Sequence, residues 1–335
     1  MIQIQEFKSL LSQPGKIMIT THYKPDGDAL GSSLGLSLVL KSMGHDVLVI
    51  SPSDFPQYLA WLPEADQIQI FPGNEEFCKG FIEDCQLIFC LDFNHLKRIH
   101  ELGLVIEKSA APKIMIDHHL EPQGFEDLAF WDTEASSTCQ LIYTFLDQLN
   151  LKAFINKAVA TCLYTGVMTD SGSFRFPRSG PELHRIAANL IESGADNVDI
   201  YERINGSQPL NRIQFLGYCL SNKLVIVKEF HTAFLSINRD ELKQFEIETG
   251  ETDGIVNYAL GIESIKLAVF FIERDEKVKL SLRSKGNFPA NEMASRYFSG
   301  GGHLNAAGGE SDLSLDETIK KFYSILPEYR QLLVT

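Results

Sequence analysis

The stretch His22-Tyr23-Lys24-Pro25-Asp26-Gly27-Asp28 limits what this chain can fold into. It follows an apolar run, Lys16-Ile17-Met18-Ile19-Thr20, with the pattern of a buried strand. It precedes a helical pattern, Leu34 to Met43, that stops at Gly44. One histidine and two carboxylates therefore occupy a strand-to-helix turn at the carboxyl end of a strand, the edge where open α/β sheets place ligand sites. Pro25 and Gly27 bend the backbone, so Asp26 and Asp28 are not forced onto opposite faces. An H-x-x-x-D-x-D turn offers an imidazole and two oxygens to a divalent cation. The plainer alternative makes Asp28 a helix cap and Asp26 a turn acid.

The same rhythm continues to about Asp117. Strands are expected at Ile17–Thr20, Val47–Ile50, Gln67–Phe71, Leu87–Asp92 and Lys113–Asp117, with helices such as Leu34–Met43 and Asn94–Glu107 between them. Alternation of this kind predicts an α/β fold with a parallel, doubly wound sheet. Two of the strands end on Asp92 and on Asp117-His118-His119, again at carboxyl ends. Helical patterns follow at Ser136–Asn150 and Ile155–Met168, the second running into Asp170. A carboxylate at a helix C-terminus is disfavoured by the helix dipole, and a nearby cation would offset that.

At 335 residues the chain is long enough for two domains. The expected division is 1-185 for the sheet domain, 186-222 for a helical linker and 223-335 for a smaller α/β domain. Strands are expected there at Leu224–Val227, Thr232–Ile237, Ile265–Ile272 and Val278–Arg283, with helices near Asp253–Gly261, Asn291–Phe298 and Asp316–Leu326. A net charge of −14 argues against long nucleic acid or an anionic membrane as partner, while short anions remain open. The six cysteines form no C-x-x-C pair, and several lie in apolar runs, which predicts buried structural thiols in a reducing compartment. No run has the length of a membrane span and the first residues do not read as a signal peptide, so a cytoplasmic location is expected. Gly31 and Gly35 are expected to let their helix pack closely on the sheet.

His22, Asp26, Asp28, Asp92, His118, His119 and Asp170 thus converge with no interleaved cation except Lys24. Four carboxylates so placed would repel one another unless metal neutralises them. Two divalent ions sharing the ligands resolve the conflict. The mixed imidazole and carboxylate set suits Mn²⁺, with Co²⁺, Fe²⁺ or Zn²⁺ as alternatives and Mg²⁺ less well. In the second domain, Gly300-Gly301-Gly302-His303 could bring backbone N–H groups close to an anion, and Arg283-Ser284-Lys285 offers a guanidinium, a hydroxyl and an ammonium to phosphate.

With these motifs in this order, the chain resembles the DHH phosphoesterases, specifically the two-domain group of bacterial nanoRNA hydrolases with a C-terminal DHH-associated domain. The resemblance implies a first metal on His22, Asp26 and Asp92 and a second on Asp28, Asp92, His118 and Asp170, with Asp92 bridging. It implies that Asp117 buttresses the histidines and that His119 contacts the scissile phosphate or assists the leaving oxygen. It further implies substrate binding by Arg283, Ser284, Lys285, Gly301, Gly302 and His303, and an active site in the cleft between the domains. The expected activity is hydrolysis of short oligoribonucleotides and linear dinucleotides to 5′-mononucleotides, with phosphatase action on 3′-phosphoadenosine 5′-phosphate as a companion. The rivals are a manganese pyrophosphatase or polyphosphatase and a non-catalytic nucleotide sensor. The oligomeric state is open, a homodimer being one option.

Overall fold

The computed structural model describes residues 2–206, 208–248, 250–274 and 277–334. The chain divides into two compact units, 1–207 and 208–335.

The first unit is built on β1 (Lys16–Thr21), β2 (Asp46–Ser51), β3 (Gln69–Ile70), β4 (Leu87–Leu91), β5 (Lys113–Asp117) and β6 (Leu128–Trp131). All pairings are parallel and the order is β3-β2-β1-β4-β5-β6. Its helices are α1 (Ile2–Leu10), α2 (Gly27–Ser42), α3 (Glu75–Glu83), α4 (His100–Lys108), α5 (Thr138–Gln148), α6 (Lys157–Asp170), α7 (Pro181–Glu192) and α8 (Asn197–Tyr201). Strand residues are apolar on both faces, as a covered parallel sheet requires. Ile17, Ile19, Phe89 and Ile116 pack beneath α2, α5 and α6, while Met18, Ile88 and Cys90 face α3 and α4. Strand order reverses between β1 and β4, which opens a crevice at their carboxyl ends. His22 follows one of these strands and Asp92 the other.

Helix α2 starts at Gly27, seven residues before the expected Leu34, because Asp26 caps it by accepting the Asp28 and Ala29 N–H groups. Apolar periodicity could not mark that start, since the first turns are buried nearly all round and rich in small residues. Gly31 and Gly35 face α6 rather than the sheet: a Cβ on Gly31 would sit 2.4 Å from the Cys162 carbonyl oxygen, and one on Gly35 2.8 Å from Leu163 Cδ2. The third expected strand shrinks to two residues behind a 3₁₀ turn, and β6 had no counterpart in the sequence reading. All six cysteines are free, and all but the half-buried Cys85 are buried.

The second unit holds α9 (Leu210–Tyr218), β7 (Leu224–Val227), β8 (Thr232–Ile237), α10 (Arg239–Gln244), α11 (Ile255–Leu260), β9 (Leu267–Glu273), β10 (Val278–Ser284), α12 (Ala290–Tyr297), β11 (Gly301–His303), β12 (Ala306–Ser311), α13 (Leu315–Ile325) and α14 (Arg330–Val334). The sheet is mixed, in the order β11-β12-β10-β9-β8-β7, with β8 and β9 parallel and the other neighbours antiparallel. Along β9, Leu267, Val269 and Phe271 enter one core, and Ala268, Phe270 and Ile272 enter the other. Residues 186-222 are divided between the units. Ile186, Leu190 and Ile200 join the core of the first, and Phe215 and Cys219 join a core of the second.

Candidate metal centre of the first unit

The eight first-unit residues singled out above come together. His22 Nδ1 donates to the Tyr23 carbonyl at 3.0 Å, which turns Nε2 toward Asp92 Oδ2 (3.4 Å) and Asp26 Oδ1 (3.9 Å). His118 Nδ1 lies 3.3 Å from the Ala135 carbonyl, and its Nε2 is 3.5 Å from Asp92 Oδ1, 3.4 Å from Asp170 and 3.9 Å from Asp28. A backbone carbonyl behind each ring leaves the distal nitrogen as the ligating atom. His119 Nδ1 is bound to Asp117 Oδ1 at 2.7 Å. Among the described residues, three donor sets made wholly of first-unit side chains each lie within 4.8 Å, namely His22 with Asp26 and Asp92, Asp28 with Asp92 and His118, and Asp92 with Asp117 and His119. Asp92 belongs to all three.

Backbone geometry delivers these groups. Asp92 leaves β4 at φ +63°, a left-handed conformation uncommon outside glycine but more accessible to aspartate than to most residues. Beyond Asp170, Gly172, Ser173 and Phe174 all have positive φ, a tight turn that ends α6 at the site. Phe174 stacks on His184, and Arg175 Nε donates to the Gly172 carbonyl, so Phe174-Arg175-Phe176 is engaged in forming that turn. The capping role falls to Asp26, half-exposed, while Asp28 is 1% exposed inside the first turn of α2. The plain alternative had these two reversed.

The donor chemistry fits a divalent cation. Asp28, Asp92 and Asp117 are all buried, and Asp117 Oδ2 has no hydrogen-bond partner among the described residues. Burial, then the charges of Asp92 and Asp170, push the Asp28 carboxyl well above the usual range. Burial also raises Asp92, but hydrogen bonds from His118 and His22 outweigh it and hold Asp92 well below that range. Burial lowers His118, yet its bond to Asp92 and the charge of Asp170 carry it up to about 10. These opposed shifts mark carboxylates crowded together with two imidazoles as their nearest counter-groups, an excess of negative charge that a divalent cation would neutralise.

The groups that hold the acids from behind are not among the residues expected from the sequence. The Thr138 and Cys139 N–H groups donate to the two oxygens of Asp28 at 2.6 and 2.8 Å, and the Thr138 hydroxyl donates to Asp92 Oδ1 at 2.9 Å. Backbone amides have no residue-type signature, so only the run Ser136-Ser137-Thr138 could have hinted at a helix start here.

In the second unit, strand alternation separates residues that the sequence places side by side. Arg283 and His303 both register with Ala306, from opposite sides, so they share one row and one face, two strand spacings or about 9–10 Å apart. Ser284 points to the other face, where its hydroxyl donates to the Phe288 carbonyl and accepts from the Asn305 amide. Lys285 is exposed beyond the strand. The glycine run is a strand and not an open nest. Gly301 and Gly302 pair with Gly308 and Ala307, the Gly300 N–H is taken by the Ala294 carbonyl, and a Cβ on Gly300 would lie 2.0 Å from the Gly308 oxygen.

Residues 16–167 match the DHH family, N-terminal domain, and residues 225–329 match the DHHA1 domain. The chain is 30% identical over 319 residues to a Thermus thermophilus protein named bifunctional oligoribonuclease and PAP phosphatase NrnA, covering 94% of this chain and 90% of that one. A Bacillus subtilis protein of the same name is 28% identical over 302 residues, 90% of each chain. A solved Bacteroides fragilis structure, titled an exopolyphosphatase-related protein, superposes with a TM-score of 0.95 at 38% identity, covering 100% of this chain and 98% of that one. With both domains matched in order and the motif acids and histidines gathered at one sheet edge, the chain belongs to the DHH family and is a hydrolase of phosphoric ester bonds.

Proposed function

We propose that this protein hydrolyses short oligoribonucleotides to 5′-mononucleotides, and acts as a phosphatase on 3′-phosphoadenosine 5′-phosphate, with two divalent cations, Mn²⁺ first among them. The observation that carries this reading is Asp92. Its two oxygens face different imidazoles, His22 on one side and His118 on the other, as a carboxylate shared between two ions must. His22, Asp26 and Asp92 would hold one ion, and Asp28, Asp92, His118 and Asp170 the other. Cations bound there supply charge to the phosphoryl oxygens and acidify a water. The names of the two relatives support the choice of substrates. The charge of −14 supports a short substrate, which needs only a few local contacts.

The protein groups have distinct tasks in this reading. Asp117 holds His119 Nδ1, which orients the ring and leaves Nε2 to give a proton to the leaving oxygen. The Tyr23 and Ala135 carbonyls fix the tautomers of His22 and His118. In the second unit, Arg283, Lys285 and His303 offer charge to a substrate phosphate. Ser284 acts through its hold on the hairpin, and Gly301 and Gly302 through the close approach of β11 to β12.

The test is a substrate panel with metal-stripped protein, with and without Mn²⁺. The panel holds RNA dimers to decamers, 3′-phosphoadenosine 5′-phosphate, pyrophosphate, polyphosphate and long single-stranded DNA. Mn²⁺-dependent release of mononucleotides, fastest on the shortest RNAs, is the expected result. Turnover of pyrophosphate or polyphosphate alone would overturn it, as would nucleotide binding without turnover.

A further inference from the structure

Helix α5 lies across the site with its N-terminal turn against the two acids that matter most. Ser137 caps it, its hydroxyl accepting the Gln140 N–H at 3.0 Å. The next two amides, Thr138 and Cys139, are spare donors at a helix start, and both are spent on Asp28, one on each oxygen. The Thr138 hydroxyl goes to Asp92 Oδ1 instead of to the backbone. Thr138 is 0% exposed and reaches Asp92 and Asp28 from 46 and 110 positions away in the chain, so these contacts are products of the fold.

We propose that Thr138 is a positioning residue for the cation site. This rests on the reading of the cluster as a divalent-cation centre. Rotation of an aspartate carboxylate about its terminal torsion is soft, with broad wells and no strong preference. A shared carboxylate works only if its plane is set so that each oxygen faces its own side. The imidazoles cannot set it alone, because at 3.4 and 3.5 Å they face the atoms a cation would contact. The Thr138 hydroxyl approaches the same Oδ1 that faces His118 and fixes the plane from the protein side. The adjacent amides hold Asp28 in register with it. Partners of this kind behind metal ligands change affinity by about 10–100-fold when removed.

The test uses the full chain and Mn²⁺ as probe. Thr138→Val keeps the shape and the amide but loses the hydroxyl, and Thr138→Ser keeps the hydroxyl. Titration calorimetry of the metal-stripped proteins should show Mn²⁺ affinity falling about 10–100-fold in Thr138→Val and recovering most of the way in Thr138→Ser. kcat on an RNA dinucleotide should fall more than KM changes. If Thr138→Val does not fold, as judged by thermal unfolding, Thr138→Ala takes its place with the same expectation. A folded Thr138→Val or Thr138→Ala that binds Mn²⁺ like the parent overturns the inference alone. A parent that binds no Mn²⁺ overturns the cation-site reading and this inference together.

Discussion

Asp26 caps the helix that buries Asp28: Asp26 Oδ1 accepts the Asp28 N–H at 3.0 Å and the Ala29 N–H at 3.1 Å. One exposed acid thereby sets the start of α2, and with it the position of a buried acid two residues on. Cap and proposed ligand functions of Asp26 can be separated by substitution. Asp26→Ala should cost about 1 kcal/mol of stability through the lost cap. Asp26→Asn keeps a capping oxygen and should unfold like the parent while losing most activity. Urea unfolding and turnover measured together check this, and full activity in Asp26→Asn would remove Asp26 from the ligand set.

Asp92→Asn should leave the fold intact and reduce hydrolysis by about two orders of magnitude or more, since an amide cannot place anionic oxygens toward both His22 and His118. Circular dichroism and turnover on an RNA dimer are the measurements. Near-normal turnover would sink the shared-ligand role.

The two glycines of α2 should respond differently to alanine. At Gly31 the new methyl meets backbone, the Cys162 oxygen at 2.4 Å, and should destabilise by about 1–3 kcal/mol. At Gly35 it meets the flexible end of Leu163. The gain in helix propensity, about 0.5–1 kcal/mol, should offset most of that cost. Equal effects in thermal unfolding would contradict the close packing of α2 on α6.

Glu241 organises a polar corner of the second unit. It accepts from the Tyr218 hydroxyl at 2.5 Å, from the Asn238 N–H at 2.9 Å and from the Lys223 ammonium. Burial raises its pKa, but the bonds from Lys223 and Tyr218 outweigh that and lower it, while the bond to Glu241 raises Lys223 above 10.5. A lowered carboxyl stabilises above its unfolded pKa, near 4.5, and that contribution is lost as pH falls through the folded value. The raised ammonium stabilises below 10.5, and its contribution is lost as pH climbs through the higher folded value. Glu241→Gln should cost about 1 kcal/mol at neutral pH. It should also flatten the stability profile at both ends, read by urea unfolding across pH. An unchanged acid limb would refute the assignment.

Arg283→Ala should raise KM for an RNA dinucleotide with little change in kcat if Arg283 grips phosphate. A collapse of kcat at constant KM would place Arg283 in the chemical step instead.

The donor residues and the sheet that carries them were legible in the chain. Buried parallel strands declare themselves as short apolar runs, and acids or histidines after β1, β4 and β5 fall at one sheet edge whatever the loops do. Elements with weak patterns were not legible. The edge strand β6 and the glycine-rich hairpin of β11 and β12 depend on neighbours for their pairing, and glycine reads as a loop until a partner strand is in place. The reversal of roles between Asp26 and Asp28 turned on where α2 begins, which burial on all sides hid from any periodicity. The tertiary structure alone decided that Gly31 faces α6, that Ser284 turns away from Arg283, and that an amide 110 residues from Asp28 holds its carboxylate. Sequence determines which side chains can carry charge or bind a cation. Their orientation depends on backbone donors and on close packing, and those exist only once distant segments meet.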